Sequence, residues 1–355
     1  MRRIPIDSIQ DGDVLARDIY SSSGVSLMSE GTVLKKKYIS RLSDLHIDNI
    51  FIKENGEEKD LIAAIIKEEE LREQCEDTIK NTLEKYSYAE GDELKKIVTV
   101  ANEIMTNILR EPNIMYNVSC VREKGNELYL HSMNVAALST LIALRAKLPI
   151  EKVREVAVGA LLHDLGFTSI SFDTSELVFE DCEEKVRKEI MRHVIYGYTD
   201  VEKKDWMTRT VRDIVVQHHE RMDGSGYPLH LREDAISREV RIVSLCDQFD
   251  SMVYGRLMKK YKVREAMDYI MSQAGSKFDF SLVQLFLESV AAYPIGTTVV
   301  TNEGDTAVVI RQNFKFPTRP VIRLLKKRDG TSFTSIEERD LTKYLTLFIV
   351  DSFEN

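Results

Sequence analysis

Cysteine and long apolar stretches are both scarce in this chain. Its 355 residues include four cysteines, at 75, 120, 182 and 246, and no two of them form a CxxC pair. A chain of this length needs no disulfide framework, so we expect reduced thiols in a cytosolic protein, with Cys246 packed in the interior. The longest apolar runs, such as residues 345–350, are far shorter than the roughly 20 residues of a membrane-spanning helix.

Positive charge is also in deficit. The chain carries 49 Lys and Arg against 58 Asp and Glu, a formal net charge of −9. This balance argues against general binding to DNA, RNA or anionic membranes, so an anionic ligand would need a local positive site. The start, MRRIPIDSIQDGDVLARD, has two arginines but no apolar segment after them, which argues against a secretory signal and favours a cytoplasmic protein.

The hydrophobic pattern divides the chain into three parts. Residues 1–90 predict a small mixed α/β unit followed by a charged helix, residues 91–292 an all-helical domain, and residues 293–355 a small β-rich domain. The expected fold is therefore mainly α, with a helical domain flanked by two smaller units. Within the middle part, periodicity predicts helices over roughly 127–147, 151–165, 182–197, 205–219, 237–254, 262–274 and 281–291.

Short segments at the two ends predict strands. In the first unit, GVSLMSEGTVL contains two β-like runs around a Glu-Gly turn, KKKYISRLSDLHI has helical spacing, and NIFIKE is typical of a closing strand. In the last, NEGD and RDG each separate two β-rich runs, as in hairpins, and LTLFIV is a further candidate strand. The charged segment 56–87 predicts a helix and is a candidate contact for a homodimer.

Histidines and acids in the helical part form a candidate metal-binding set. Each member alone has an ordinary interpretation as a packed or surface side chain, but they occur together, and HD and HH precede glycine-containing turns. Imidazole is the commonest protein ligand for first-row metals, and a mixed histidine and carboxylate set without cysteine suits Fe, Mn, Ni or Zn. Eight candidates suit two ions, or three: Glu127, His131, His163, Asp164, His193, His218, His219 and Asp247.

Five segments of the helical part resemble the HD-GYP family, bacterial phosphodiesterases that act on cyclic di-GMP. HSMNVAALS, LLHDLG, RHVIYGY, HHERMDGSGYP and RIVSLCDQFDSMVYGR follow the family's order over roughly residues 115–290. The resemblance implies an all-helical HD-type domain with two or three divalent metal ions, usually Fe or Mn. It assigns all eight candidates as ligands, with Asp164 bridging two ions and Glu127 reaching a third.

The resemblance also assigns substrate contacts. Arg256 and Lys259 match a basic pair that contacts ligand phosphate, and Gly226 and Tyr227 belong to the loop that gives the family its name. We expect Gly224 and Gly226 to permit positive φ. Tyr227 would either contact a guanine or pack against the fold.

Two positions depart from the family pattern. Phe167 stands where the family has a lysine that reaches a substrate phosphate, and Met258 stands where it has an aromatic residue. Loss of one charge-assisted contact, worth about 1.5–3 kcal/mol, predicts a weaker enzyme, and Phe167→Lys would restore activity. Phe167 would otherwise stack on a base or pack against a helix.

The expected function is metal-dependent hydrolysis of cyclic di-GMP to linear pGpG, GMP or both. His163 and Asp164 would be central to catalysis, with hydroxide generated from metal-bound water near neutral pH. A catalytically silent cyclic di-GMP receptor is the main alternative. An HD hydrolase for another nucleotide, and a scaffold whose metals stabilise the fold, are two others.

Overall fold

The computed structural model describes residues 2–6, 9, 13, 15–16, 19–20, 26–28, 32, 34–44, 47, 49–52, 96–110, 115 and 127–353. Their contacts divide into two compact units. One is helical and contains the described residues from 96 to 289, and the other contains those from 2 to 52 and from 290 to 353. The division into domains at residues 90 and 292 stays a prediction, and the charged segment 56–87 lies outside the described residues.

Two small antiparallel strand pairs lie in the N-terminal part of the second unit. β1 (Arg2–Pro5) pairs with β4 (Asn49–Ile52), and β2 (Ile19–Tyr20) pairs with β3 (Ser26–Met28). A short helix, α1 (Ile39–Asp44), lies between β3 and β4 in the sequence. The second β-like run of GVSLMSEGTVL is not a strand at Thr32 or Leu34. Instead, Thr32 O accepts from Leu15 N–H, and Leu34 N–H donates to Asp13 O.

The helical unit contains nine α-helices among its described residues. Where a range was predicted, the helix ends agree to within four residues. The exception is 182–197, where the structure has two helices, one ending at Met191 and the next running from His193 to Glu202. The Arg192 N–H bonds to Glu189 O, a tightened turn that hydrophobic periodicity does not reveal. The helices are α2 (Lys96–Arg110), α3 (Glu127–Arg145), α4 (Ile150–Leu162), α5 (Glu184–Met191), α6 (His193–Glu202), α7 (Arg209–Gln217), α8 (Arg238–Tyr254), α9 (Val263–Ser272) and α10 (Phe280–Ser289).

Three long helices form the centre of this unit. α3 packs against α4 and α8, and most residues of α8 are buried, including the polar Ser244, Asp247 and Asp250. Phe249 of α8 and Phe286 of α10 meet edge to face with centroids 4.9 Å apart, and both are fully buried. Polar side chains in such a core need partners, so the buried histidines and aspartates of these helices are the natural place to look for function.

An antiparallel five-stranded sheet forms the C-terminal part of the second unit. Its order is β8-β7-β6-β5-β9, and NEGD and RDG each turn between paired strands, which confirms both predicted hairpins. The run LTLFIV is a strand from Ile349 onward. The strands are β5 (Thr298–Thr301), β6 (Thr306–Arg311), β7 (Val321–Lys326), β8 (Ser332–Asp340) and β9 (Ile349–Phe353). Among the described residues, no helix is long and apolar enough to cross a membrane.

Candidate metal centre

Seven of the eight predicted ligands have described side chains, and they come together in the core of the helical unit. They come from five helices: one from one turn after the start of α3, two directly after α4, one at the start of α6, two directly after α7 and one from α8. Six are fully or almost fully buried, and the seventh, His219, has a side chain that is 21% exposed. The set is His131, His163, Asp164, His193, His218, His219 and Asp247. Glu127 begins α3, and its side chain lies outside the described residues.

Asp164 lies at the centre of this set with one carboxylate oxygen toward each of two histidine pairs. Its Oδ1 is 3.4 Å from His193 Nε2 and 3.5 Å from His218 Nε2. Its Oδ2 is 3.5 Å from His131 Nε2 and 3.6 Å from His163 Nε2. A carboxylate with this arrangement can bridge two cations, as the resemblance implies for Asp164.

Asp247 completes the second side of the cluster. Its Oδ1 lies 3.2 Å from His131 Nε2 and 3.8 Å from His163 Nε2. Its Oδ2 lies 3.5 Å from Nδ1 of His219. Asp247 thus joins the pair His131 and His163 to the remaining histidine, His219.

Backbone hydrogen bonds fix the tautomer of three of the rings. His163, His193 and His218 each donate from Nδ1 to a carbonyl three residues earlier, and the acceptors are Ala160 O (2.7 Å), Ile190 O (2.7 Å) and Val215 O (3.1 Å). A carbonyl oxygen can only accept, so Nδ1 must carry the proton. In the neutral ring, Nε2 is then unprotonated and has a free lone pair. All three Nε2 atoms therefore face Asp164 as acceptors, the state in which imidazole binds a metal.

The donor set fits a cation. Nε2 of His193 and Nε2 of His218 lie 3.3 Å apart, and Nε2 of His131 and Nε2 of His163 lie 3.2 Å apart. Facing lone pairs and carboxylate oxygens repel one another unless positive charge lies between them. Imidazole nitrogen with carboxylate oxygen is a ligand set for first-row transition metals.

The titration behaviour of the cluster agrees with this interpretation. Burial lowers the pKa of His163 to about 4 and that of His193 to about 3, so both rings are neutral at neutral pH. Burial opposes the ionisation of Asp164, but the neighbouring His163 and Arg256 outweigh it and hold the pKa of this carboxyl well below its usual range. For His131, burial lowers the pKa, but its bonds to Asp247 and Asp250 raise it overall; a bound cation would replace that proton.

Arg256 and Phe167, two of the predicted substrate contacts, lie directly beside the cluster. Arg256 Nη2 is 2.8 Å from Asp164 Oδ2, and the arginine side chain is 11% exposed. The Phe167 ring stacks on the His193 imidazole, with centroids 4.2 Å apart and planes inclined by 23°. Lys259 is exposed, and it lies in the same segment after α8 as Arg256.

The loop after His219 packs against the cluster. Tyr227 is half-buried, and its ring stacks on that of His219 with centroids 4.7 Å apart. Gly224 has the predicted positive φ of 79°, but Gly226 does not, so that part of the prediction is wrong. Gly226 is required for a different reason: a Cβ there would lie 2.4 Å from the carbonyl oxygen of His219, where no side chain fits.

Three functional residues were not predicted from the sequence. Asp250 Oδ2 accepts from Nδ1 of His131 at 2.7 Å, which fixes that ring. The buried carboxylate of Glu220 accepts from the N–H groups of Leu229 (2.6 Å) and Leu231 (2.9 Å) and so ties down the loop. Arg221 bonds to the carbonyl oxygens of His218 and Glu220.

Sequence signals existed for two of these three residues. Asp250 follows Asp247 by one helical turn in CDQFD, which places both acids on one face of α8. Glu220 directly follows the histidine pair in HHERMDG, and an acid beside buried ligands is a candidate for orienting them or the loop that follows.

The comparisons with known proteins agree with this geometry. Residues 107–282 match the family model described as an HD domain, and residues 298–355 match the model of a KOW domain associated with HD domain. The chain belongs to the HD-domain family. Among solved structures, it is similar in fold to Bd1817, an HDG"Y"P protein from Bdellovibrio bacteriovorus, with a TM-score of 0.51, 17% identity, and coverage of 80% of this chain and 97% of that one.

Curated relatives of this HD-domain protein confirm the resemblance to the HD-GYP family. It is 28% identical over 226 residues to the cyclic di-GMP phosphodiesterase PA4108 of Pseudomonas aeruginosa, covering 63% of this chain and 54% of that protein. It is 33% identical over 168 residues to the cyclic di-GMP phosphodiesterase response regulator RpfG of Xanthomonas campestris, covering 47% and 44%. The chain thus spans about half the length of these curated relatives.

A relative named for a different substrate also matches. It is the 3′3′-cGAMP-specific phosphodiesterase 2 of Vibrio cholerae, 27% identical over 253 residues, with 67% of this chain and 45% of that protein covered. Cyclic dinucleotides are therefore the shared substrate class among these relatives, and the choice of base differs between them.

Proposed function

We propose that this HD domain hydrolyses a phosphodiester bond of cyclic di-GMP in a reaction that depends on divalent metal ions. The observation that carries the proposal is the convergence of four histidine Nε2 atoms on the two oxygens of Asp164, each within 3.6 Å. The curated relatives named as cyclic di-GMP phosphodiesterases support the choice of substrate. The products would be linear pGpG, GMP or both.

The proposed cofactors are two or three divalent ions, Fe or Mn. One ion would be held by His131, His163 and Asp247, another by His193 and His218, with Asp164 shared between them and His219 completing the set. Glu127 would serve a third. Ions held in this way lower the pKa of a bound water and neutralise phosphate oxygens.

The chain's own side chains would bind and orient the substrate around this centre. The tethered rings keep their Nε2 atoms aimed inward, and the burial of the cluster excludes bulk water from the reacting phosphate. Arg256 would contact a phosphate oxygen, with Lys259 as a second cation at the rim. Tyr227 and Gly226 would form one wall of the pocket.

Charge makes such a local site necessary. A cyclic dinucleotide carries two negative charges, and the chain has a formal net charge of −9, so the protein as a whole repels the ligand. Screening confines that repulsion to about 8–10 Å in physiological salt. Attraction must therefore come from cations within the pocket, which is where Arg256 stands.

A catalytically silent cyclic di-GMP receptor is the second candidate function. Phe167 favours it, because the cation expected at that position for a phosphate contact is replaced by a hydrocarbon ring. The clustering of seven of the eight predicted ligands favours the enzyme. The two candidates differ in turnover, whereas both require binding of cyclic di-GMP.

One experiment separates them. The full chain is purified anaerobically, its metal content is measured by mass spectrometry, and it is then incubated with cyclic di-GMP and, separately, with 3′3′-cGAMP while chromatography follows the linear products. We expect about two or three metal ions per chain and hydrolysis of cyclic di-GMP in preference to the hybrid. Metal with no product from either nucleotide would refute the enzyme proposal, and binding without turnover would support the receptor.

The necessary control is the double variant His163→Ala, Asp164→Ala. It should lose both metal and turnover, because it removes one ring and the shared carboxylate. A surface variant, Asp268→Ala on α9, should keep both. Turnover that persists in the double variant would mean that a contaminating enzyme is responsible.

A further inference from the structure

Phe167 occupies a position that apolar packing alone does not explain. It lies in the short 3₁₀ turn Leu165–Ser169, three residues after Asp164, and is 9% exposed. Besides its stacking on His193, its ring has the guanidinium carbon of Arg256 over it, 4.6 Å from the centroid. With these two contacts and so little exposed surface, the ring has no accessible face for a guanine base.

The same arginine makes the closest contact to the shared carboxylate. Arg256 Nη2 lies 2.8 Å from Asp164 Oδ2, so one guanidinium spans from the Phe167 ring to Asp164. A guanidinium has five N–H donors in a plane, and a single bond to Asp164 uses only part of that capacity. The remaining edge is suited to a phosphate oxygen, which guanidinium groups bind through paired N–H donors.

The backbone on both sides of Arg256 is also held in an unusual shape. Gly255 ends α8 with φ 73°, and Leu257 has φ 54°, a region that residues with a side chain rarely adopt. The Leu257 carbonyl accepts from Phe179 N–H at 2.8 Å, and the Arg256 N–H donates to Ser251 O at 3.0 Å. These bonds turn the chain back after α8 and direct the arginine side chain toward the cluster.

We propose that Phe167 is a positioning residue that holds the guanidinium of Arg256 beside Asp164, ready to contact a substrate phosphate. The proposal rests on the proposed function for its ligand, and it goes beyond it by assigning Phe167 a role. The residue that replaces an expected cation thereby fixes a different cation, contributed by the segment after α8, at the same centre. A cation over an aromatic face is favoured by the ring quadrupole, most strongly where water is excluded.

The test compares Phe167→Leu with Phe167→Tyr. Leucine keeps an apolar side chain but removes the ring, whereas tyrosine keeps the ring. The first readout uses no activity: the full chain, treated with chelator and labelled selectively at arginine, is studied by NMR. In the unmodified chain and in Phe167→Tyr, the side-chain protons of Arg256 should be shifted upfield by the ring, and in Phe167→Leu that shift should be lost.

The second readout is kcat/KM for cyclic di-GMP with Mn²⁺-loaded protein. Phe167→Leu should lower kcat/KM about two- to thirtyfold, the range that corresponds to one cation–π contact. Phe167→Tyr should keep the kcat/KM of the unmodified chain. In an Arg256→Ala background, Phe167→Leu should produce no further loss. Phe280→Leu, which removes an exposed ring from α10, is the matched control and should leave both readouts unchanged.

Two results would overturn the positioning role: an unchanged Arg256 signal in Phe167→Leu, or a full additional loss of kcat/KM when Arg256 is already alanine. If the unmodified chain neither binds nor hydrolyses cyclic di-GMP, the proposed function fails. The Arg256 signal then decides the positioning role by itself, because it requires no substrate.

Discussion

Asp250 holds the ring of His131 through a hydrogen bond of 2.7 Å between Nδ1 and Oδ2. Both groups are buried, and the bond leaves Nε2 of His131 facing Asp164 and Asp247. Carboxylates that orient ligand histidines in this way contribute strongly to metal binding, because they fix the ring and raise its basicity. Asp250 belongs to the candidate site through this bond.

Replacing Asp250 should weaken metal binding. We expect Asp250→Ala to lower the affinity for Mn²⁺ about 10–100-fold, because His131 loses its orienting acceptor. Competition with a fluorescent chelator measures this directly. The affinity of Asp250→Asn, whose amide oxygen can still accept from Nδ1, should fall between those of the unmodified chain and Asp250→Ala. If Asp250→Ala bound Mn²⁺ as tightly as the unmodified chain, the assigned role would be contradicted.

Glu220 is expected to stabilise the loop after the histidine pair. Glu220→Gln should lower the free energy of unfolding by about 1–3 kcal/mol, because an amide can accept from only one side and turns an N–H group toward Leu229 or Leu231. Urea denaturation measures the loss, and hydrogen exchange should show faster exchange at those two amides. Glu202→Gln, at an exposed end of α6, should change neither.

The close approach at Gly226 predicts a large effect from one added methyl group. In Gly226→Ala, the new Cβ would meet backbone atoms of His219, Glu220 and Arg221 at 2.4–2.5 Å, and backbone cannot rotate away as a side chain can. We expect a loss of stability of about 1–3 kcal/mol or more, accompanied by loss of metal because His219 must move. Urea denaturation and metal analysis measure the two effects.

Gly275 offers the matched comparison. It has φ 77° with open space where a Cβ would stand, so Gly275→Ala should cost about 1–2 kcal/mol through backbone strain alone and should retain metal. If Gly226→Ala proved milder than Gly275→Ala, the close approach at Gly226 would not be limiting.

Asp279 should make stability depend on pH in the acid range. It directly precedes α10, and its Oδ1 accepts from the hydroxyl of Ser281 and from the N–H groups of Ser281 and Leu282. Its Oδ2 lies 3.0 Å from Arg241 Nη1. Burial raises the pKa of Asp279, but these partners outweigh burial and lower it overall. Its stabilising contribution is therefore complete above the unfolded pKa of about 3.9 and is lost as the pH falls through the lower folded value.

We accordingly expect Asp279→Ala to be less stable than the unmodified chain by about 1 kcal/mol at pH 7, the usual worth of a helix-capping side chain. The difference should shrink steadily below about pH 4. Denaturation curves from pH 2.5 to pH 7 measure it, and a difference that stays constant over that range would show that the carboxylate charge is not responsible.

The order of the helices, and the positions of most candidate ligands along them, could be predicted from the sequence because both depend on local patterns. HD and HH follow apolar helical segments directly, so their place at helix ends was visible in the residues themselves. The turn residues of NEGD and RDG likewise predicted the two hairpins of the five-stranded sheet. Resemblance to a family then assigned partners to residues that lie far apart in the chain.

The remaining features depend on contacts between distant segments. Nothing in the residues around Phe167 indicates that Arg256, which is 89 positions later, lies over its ring. The reason for glycine at position 226 is similar, because the steric restriction comes from the backbone of a neighbouring turn rather than from φ. The break at Arg192 could not be predicted either. The hydrophobic periodicity continues across it, although the Arg192 N–H bonds three residues back, to Glu189 O, instead of four.

The backbone tethers of His163, His193 and His218 have a consequence for the proposed metal centre. Each ring is anchored to a backbone carbonyl three residues earlier, so the backbone sets the orientation of these donors. A cage built in this way would keep its shape without an ion, unlike a small zinc domain that unfolds when its ion is removed. The ion bound in the cell would then depend on metal supply, because first-row cations share a preference for such nitrogen and oxygen donors.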